Sequence, residues 1–425
     1  MALTRDVAIL FGARSARMFG YGSVAVVLVL YLARLGFSGG EIGLLLSLTL
    51  IGDTVISLWL TTHADRLGRR RVLAAGALLM AGAGVLFAAT SAFPVLLVAA
   101  TIGVISPSGN EVGPFLAVEQ ASLSETLPGS RRTAIFASYN LAGSIATAVG
   151  ALAAGLAVTV LRARGATDVD AYRAVLLGYS VVGGAMAVAF SRLSVGVEVV
   201  RAHDQSIVDR LGLSRSRDVV LRLAALFSLD AFAGGLVPQS LLAFWFHTTY
   251  GVSEAVIGGI FFGANLLAAA SALLASRIAA RIGLVNTMVF THLPSNVLLI
   301  LVPLMPNVGL AIAVLLARFS ISQMDVPTRQ SYTIAVVEPD ERSAAAGITG
   351  IARTAGSALS PNLAGPLFAM PALAAIPFFL AGGLKVVYDL ALWTAMRRRP
   401  APEDPVNRRR GPSGSDGPAS PGATR

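Results

Sequence analysis

Apolar residues run along this chain in long stretches, interrupted at short intervals by arginines, glycines and prolines. A bilayer core about 30 Å thick needs roughly 20 apolar residues per helix. By that measure twelve candidate spans are legible: 9–34, 41–60, 72–90, 94–118, 133–160, 172–192, 219–246, 254–276, 284–304, 308–326, 343–369 and 372–396. Spans 5 and 11 are rich in small residues rather than leucine. The run Ser106-Pro107-Ser108-Gly109-Asn110-Glu111-Val112-Gly113-Pro114 predicts a local break inside span 4. Such a break is tolerated at depth where backbone lines a water-filled cavity. Two stretches lack the apolar pattern. Residues 193–218 read as a charged linker with a short amphipathic helix near Ile207 to Leu213. Residues 397–425 are rich in Arg, Pro, Gly and Ser and are expected to be a disordered basic tail.

Six spans in 1–192, a linker, and six more in 219–396 suggest an internal repeat. An offset of 213 reveals one. Ala16-Arg17-Met18-Phe19-Gly20-Tyr21-Gly22 in span 1 aligns with Leu229-Asp230-Ala231-Phe232-Ala233-Gly234-Gly235 in span 7. Asn140 to Ser144 in span 5 aligns with Arg353 to Ser357 in span 11. Ala64-Asp65-Arg66-Leu67-Gly68 after span 2 is echoed by Ala279-Ala280-Arg281-Ile282-Gly283 after span 8, within two residues of the same offset.

Composition supports a membrane protein. The chain has 55% hydrophobic and 13% charged residues, against roughly 45–50% and 25% in soluble domains. It has no cysteine, which excludes disulfides, thiolate metal sites and cysteine nucleophiles. His63, His203, His247 and His292 include no two at ligand spacing, so no metal site and no cofactor are expected. The net charge of +10 rests on arginines in blocks between spans, with Lys385 the one lysine. A nucleic-acid face needs a basic stripe on a soluble surface; blocks alternating with spans instead follow the positive-inside rule. With both termini inside, the arginines at 5, 66–71, 131–132, 201–217, 277, 281, 329 and 342 fall on the cytoplasmic side. Arg162, Arg164 and Arg173 are the chief ones left outside. The expected location is the cell inner (plasma) membrane, multi-pass, with both termini cytoplasmic.

The segment Thr61-Thr62-His63-Ala64-Asp65-Arg66-Leu67-Gly68-Arg69-Arg70-Arg71 resembles the loop 2–3 signature of the major facilitator superfamily. Asp65, Arg66, Gly68, Arg69 and Arg70 match it, while Thr61 replaces the usual Gly and His63 the usual Leu. The resemblance implies an all-α polytopic membrane protein with twelve transmembrane helices in two pseudo-symmetric six-helix bundles. It also implies alternating access around a midplane site. Spans 1, 4, 7 and 10 would line the cavity, and spans 2, 5, 8 and 11 would form the interface between halves. Asp65, Arg66, Gly68, Arg69 and the span 10 residue Arg318 would serve gating or coupling. The arginine expected in span 4 is absent, Thr101 being nearest, and so is the Gly-Pro motif of the drug antiporters in span 5.

Ionisable residues inside a membrane cost about 2.5–3.5 kcal/mol or more each and mark functional sites by default. Here they are Arg14, Arg17, Asp53, Glu111, Asp230, Arg318, Asp325, Arg353, Lys385 and Asp389. Arg14 reads as an interfacial anchor, Lys385 and Asp389 as a local i,i+4 pair, and Asp325 as a residue near the inner boundary. Arg17 and Asp230, equivalent in the repeat and opposite in charge, are expected to face each other across the cavity. Tyr21, Asn110, Gln239 and Gln323 are polar substrate contacts by position, with structural interhelical hydrogen bonds as the alternative. Glu111 is the first choice for a proton carrier, having no basic neighbour in sequence, and Asp53 the second. Asp53 on span 2 and Arg353 on span 11 suggest an ion-paired latch, with Asn140 and Asn265 as the matching amide pair.

No G-x-x-x-x-G-K-[ST] motif is present, so ATP does not drive the protein directly. The function expected is secondary active transport of a small organic solute, proton-coupled, with export slightly favoured over uptake. The alternatives are a sensor or scaffold of the same fold and a proton-independent uniporter. An enzyme is disfavoured, since no nucleophile–base constellation is visible. The expected partners are a small-molecule substrate, protons and membrane lipids, and the expected state is a monomer.

Overall fold

The computed structural model describes residues 5–126, 132–198, 215–339 and 341–397. The amphipathic helix expected at 207–213 and the tail beyond 397 lie outside the described residues, as does the side chain of Asp65.

The N-terminal half consists of α1 (Arg5–Arg34), α2 (Gly39–Leu67), α3 (Arg69–Ala89), α4 (Phe93–Ile102), α5 (Phe115–Thr126), α6 (Arg132–Ala163) and α7 (Asp168–Ser191). The C-terminal half consists of α8 (Arg217–Gly235), α9 (Gln239–Tyr250), α10 (Glu254–Ile282), α11 (Leu284–Leu301), α12 (Val308–Phe319), α13 (Asp325–Ala335), α14 (Arg342–Ala369) and α15 (Ile376–Met396). Among the described residues, nine helical stretches are long and apolar enough to cross a membrane. The apolar α4 and α12 are shorter, and α14, 28 residues long, mixes its apolar residues with Gly, Ser, Thr and Pro.

Local chemistry explains the boundaries. Ser38 and Glu41 form a reciprocal capping box that starts α2. The helix ends at Gly68, whose φ of +93° lets the chain turn at once into α3. Gly283, its echo in the repeat, does the same between α10 and α11 at φ +87°. The predicted break separates α4 from α5, with Gly109 at φ +69° and Gly113 at φ +83°. Two further breaks part α8 from α9 at Leu236-Val237-Pro238 and α12 from α13 at residues 320–324.

Helix pairing repeats between the halves. In the first half α1 packs on α6 and α7, α3 on α7, and α2 on α4. In the second, α8 packs on α14 and α15, α11 on α15, and α10 on α12. Across the halves α2 lies along α14 and α6 along α10, which are the pairings of spans 2 with 11 and 5 with 8. Small residues permit this approach: a Cβ at Gly43 would sit 2.6 Å from the Pro361 carbonyl oxygen, and one at Gly258 2.7 Å from that of Ala151.

Candidate functional site: a charged cavity between the halves

The halves touch at the end remote from the termini. There Gly39 and Gly43 meet Pro361 and Gly365, and Gly155 meets Gly258. Toward the termini, Gly347 and Gly350 of α14 have open space where a Cβ would stand. Leu50 and Asp53 of α2, Ser144 and Thr147 of α6, Asn265 and Ala268 of α10, and Arg353 and Ser357 of α14 line a cavity of about 580 Å³. The helix breaks form its roof, where the Ser240 N–H donates to the Pro107 carbonyl at 3.1 Å. Beyond the roof an ion pair clamps the two halves. Arg162 of α6 binds Glu254, in the first turn of α10, through Nη1–Oε2 at 2.7 Å and Nη2–Oε1 at 2.9 Å. The Tyr172 hydroxyl donates to the same carboxylate at 2.5 Å. Asp168 braces Arg162 at 2.7 Å and also meets Arg34 at 3.0 Å.

One ionic network fills the N-terminal half. Arg17 is fully buried; it donates from Nη1 and Nη2 to Glu119 at 2.7 Å each and from Nε to Glu111 at 2.8 Å. Arg14 donates to Glu111 at 2.5 Å, to the Tyr139 carbonyl at 3.1 Å and to Asn140 Oδ1 at 3.2 Å. The Tyr139 hydroxyl closes the network on Glu119. Two arginines thus neutralise two glutamates in direct contact, the geometry that makes buried charge tolerable.

A second network occupies the C-terminal half. Asp230 accepts from Lys385 at 2.5 Å and from Arg329 at 3.2 Å, and Arg329 also holds Asp325 at 2.9 Å. Behind this pair, His292 Nδ1 lies 2.9 Å from Asp389, which accepts from Asn296 at 2.8 Å.

Several expectations need correction. Arg17 does not face Asp230: each sits at the centre of its own half's network, and Arg17 is absent from the cavity wall. Tyr21 is also buried, its hydroxyl donating to the Val112 carbonyl at 3.0 Å. Glu111 reaches the cavity but is held by two arginines from α1, a proximity invisible in sequence. Arg14 is a buried network member rather than an interfacial anchor. Lys385 reaches across to Asp230, leaving Asp389 to His292, so the i,i+4 pair does not form. Asp325 is buried against Arg329.

Asp53 and Arg353 both line the cavity, yet no ion pair joins them among the described residues. Asp53 instead accepts from the Gly113 N–H at 2.6 Å and from Ser57 at 3.2 Å. The matching amide pair is absent too. Asn140 serves Arg14, while Asn265 donates to the Phe261 carbonyl at 2.8 Å and to Gln239 at 3.4 Å. Asn110, Gln239, Gln323 and Arg318 do line the cavity.

Sequence reasoning missed Glu119, Arg329, Tyr139, His292 and the Arg162–Glu254 clamp. Glu119 and Arg329 stand just past spans 4 and 10 as drawn, but the breaks lengthen both passes and bring them inside. The polar run at 106–114 was the available signal for Glu119.

A model of the Major Facilitator Superfamily matches residues 10–361. The chain belongs to this superfamily. An uncharacterised membrane protein of Saccharomyces cerevisiae is 29% identical over 420 residues, covering 92% of this chain and 93% of the relative. The quinolone resistance protein NorA of Staphylococcus aureus is 34% identical over 87 residues, 20% of this chain and 22% of NorA. Among solved structures, the nucleoside transporter NupG aligns with a TM-score of 0.73 and 15% identity, over 92% of this chain and 99% of its own. The D-xylose-proton symporter aligns with a TM-score of 0.69 and 15% identity, over 91% and 97%. At these identities the two structures show a shared fold.

The superfamily's loop 2–3 signature occupies the α2–α3 turn. The backbone N–H groups of Arg69 and Arg70 donate to Glu198 at 2.7 and 3.3 Å, and Arg70 Nη2 donates to the Ser191 carbonyl at 2.6 Å. The signature thereby ties α3 to the end of α7 and the start of the linker. Membership makes the chain a transmembrane transport protein with small molecules as substrates.

Proposed function

We propose that the chain is a secondary active transporter of a small organic solute, held here in an inward-open state, with Asp53 as its proton-coupling carboxylate. The observation that carries this reading is the cavity itself. It lies between two repeat-related halves that are clamped at one end by Arg162–Glu254, while toward the other end Gly347 and Gly350 of α14 have open space beside them. With cytoplasmic termini, the open end faces the cytoplasm. Twelve passes follow when α4–α5, α8–α9 and α12–α13 each count as one broken pass. Rocking of the halves about the cavity would expose it alternately to either side.

The choice of Asp53 over Glu111 rests on partners. Of the carboxylates lining the cavity, Glu111 is held by Arg14 and Arg17, and Asp230 and Asp325 by Lys385 and Arg329. Asp53 has hydrogen bonds from Gly113 and Ser57 and no cation within contact among the described residues. Intramembrane carboxylates of this kind serve proton relays.

Reconstitution into proteoliposomes tests both parts. Solutes that bind the purified protein should show counterflow, and an imposed pH gradient should drive their accumulation. Asp53→Asn should abolish gradient-driven accumulation and spare counterflow. Binding without counterflow would overturn the transporter reading in favour of a sensor. Gradient-driven accumulation by Asp53→Asn would remove Asp53 from the coupling role.

A further inference from the structure

We infer that Arg318 and Arg353 form an oxyanion-binding subsite in the cavity, so that the transported solute carries a carboxylate or phosphate group. The inference rests on the reading of this cavity as the transport site. It begins from a sorting of the charges in and behind the cavity wall by partner. Glu111 and Glu119 are matched by Arg14 and Arg17; Asp230 and Asp325 are matched by Arg329 and Lys385. Two guanidinium groups remain on the C-terminal wall. Arg318 and Arg353 line the cavity and make no hydrogen bond or ion pair in direct contact with the described residues; Arg318 lies over the Phe319 ring, 5.0 Å from its centroid, and both arginines feel the already paired Asp230 and Asp325 only beyond contact distance.

A second observation points to the same chemistry. Arg318 Nε, Gln239 Nε2 and the Ser322 hydroxyl are buried polar atoms without a partner, and all three residues line this cavity. Each of these atoms can donate a hydrogen bond, and a buried donor left unpaired costs about 1–3 kcal/mol. Native proteins pair such groups, with a ligand or water where protein supplies none. An acceptor-only, negatively charged group satisfies the donors and the two cations together. The planar guanidinium fork fits carboxylate and phosphate oxygens in paired hydrogen bonds.

The same sorting gives the sign of coupling. Asp53 is the cavity carboxylate without a cation, and so it adds an uncompensated negative charge to the cavity that an anion enters. The groups that bear on it are Ser57 on its own helix, the Gly113 N–H, Glu111, Tyr21 of α1 and Tyr179 of α7. A proton on Asp53 removes the opposing charge, so anion and proton bind together by linkage and cross in the same direction. An inward proton gradient then drives uptake rather than the export favoured from sequence.

The test uses the full chain in nanodiscs with four matched probes: benzoate and phenyl phosphate, and the neutral benzamide and benzyl alcohol. Phenylglyoxal labels accessible arginines, and peptide mass spectrometry reads each one. Arg318 and Arg353 should react, and one or both anions should slow that reaction at least fivefold while the neutral probes do not. Protection by benzoate alone assigns a carboxylate; protection by phenyl phosphate alone assigns a phosphate. Arg318→Gln and Arg353→Gln should each weaken anion binding at least tenfold, with Arg318→Lys and Arg353→Lys retaining part of it. Anion binding should tighten as pH falls, and Asp53→Asn should lose that dependence. Equal protection by anions and neutral probes, or full anion affinity in the double Gln variant, would overturn the subsite. Counterflow of a neutral solute that the double Gln variant leaves intact would sink the anion proposal and leave the transporter standing. Anion binding with no counterflow would do the reverse.

Discussion

Arg17 and Asp230 hold equivalent positions in the repeat, and each has become the hub of a separate network. Arg17 makes three charge-assisted hydrogen bonds to two glutamates, and Asp230 is held by Lys385 and Arg329. Deleting one member of a buried ionic set strands the rest, typically at about 3–5 kcal/mol. Arg17→Met should therefore lower the thermal unfolding temperature of the purified protein markedly, and adding Glu119→Gln should recover part of the loss. An unfolding temperature unchanged by Arg17→Met would show that the network contributes no stability. At this scale the sequence discloses many of the residues charged at membrane depth, though not Glu119 or Arg329, and it does not disclose their partners. Arg14, Arg17 and Glu111 were all visible as intramembrane charges, and their contact spans 97 and 94 residues of chain. Only the folding of α1 against the broken α4–α5 pass creates it.

At the scale of elements, periodicity and punctuation carried most of the reading. The polar run at 106–114 and the glycines at 68 and 283 mark a break and two turns that the fold contains. The break at Leu236-Val237-Pro238 went unread because its single proline sits between two long apolar runs. The break at 320–324 (Ser320-Ile321-Ser322-Gln323-Met324) contains neither glycine nor proline. The contact of α2 with α14 depends on missing side chains. Gly39 and Gly43 approach Gly365 and Pro361 so closely that a Cβ at Gly365 would overlap the Gly39 carbonyl. Gly365→Leu should hold these helices apart at the end remote from the termini and open the cavity there. The chain contains no cysteine, so a single Ser144→Cys on the cavity wall reports access without background. Gly365→Leu should raise its reactivity toward an impermeant maleimide supplied from that remote side. If reactivity stays at the parent level, the α2–α14 contact does not close the cavity.

For the whole molecule, the question is what holds one end shut. Small-residue contacts supply the fit, and the Arg162–Glu254 pair supplies an electrostatic clamp between the halves. Glu254 is fully buried and accepts from both terminal guanidinium nitrogens of Arg162 as well as from the Tyr172 hydroxyl. Its place in the first turn of α10 adds the favourable end of the helix dipole. The two partners differ in what each has left when the other is removed. Arg162→Ala strands Glu254 with Tyr172 alone. Glu254→Gln leaves Arg162 its second carboxylate, Asp168. Stranding a buried charge costs about 3–5 kcal/mol, or about two to three and a half powers of ten in a two-state equilibrium. Arg162→Ala should therefore shift the population strongly toward opening at the remote end, and Glu254→Gln should shift it less. The Ser144→Cys reporter measures both, as the rate of labelling from that side. A rate in Arg162→Ala equal to the parent's would show that the clamp does not hold the closed end. Equal acceleration by the two variants would show that Asp168 does not brace Arg162, and that the pair acts as a simple two-residue bridge.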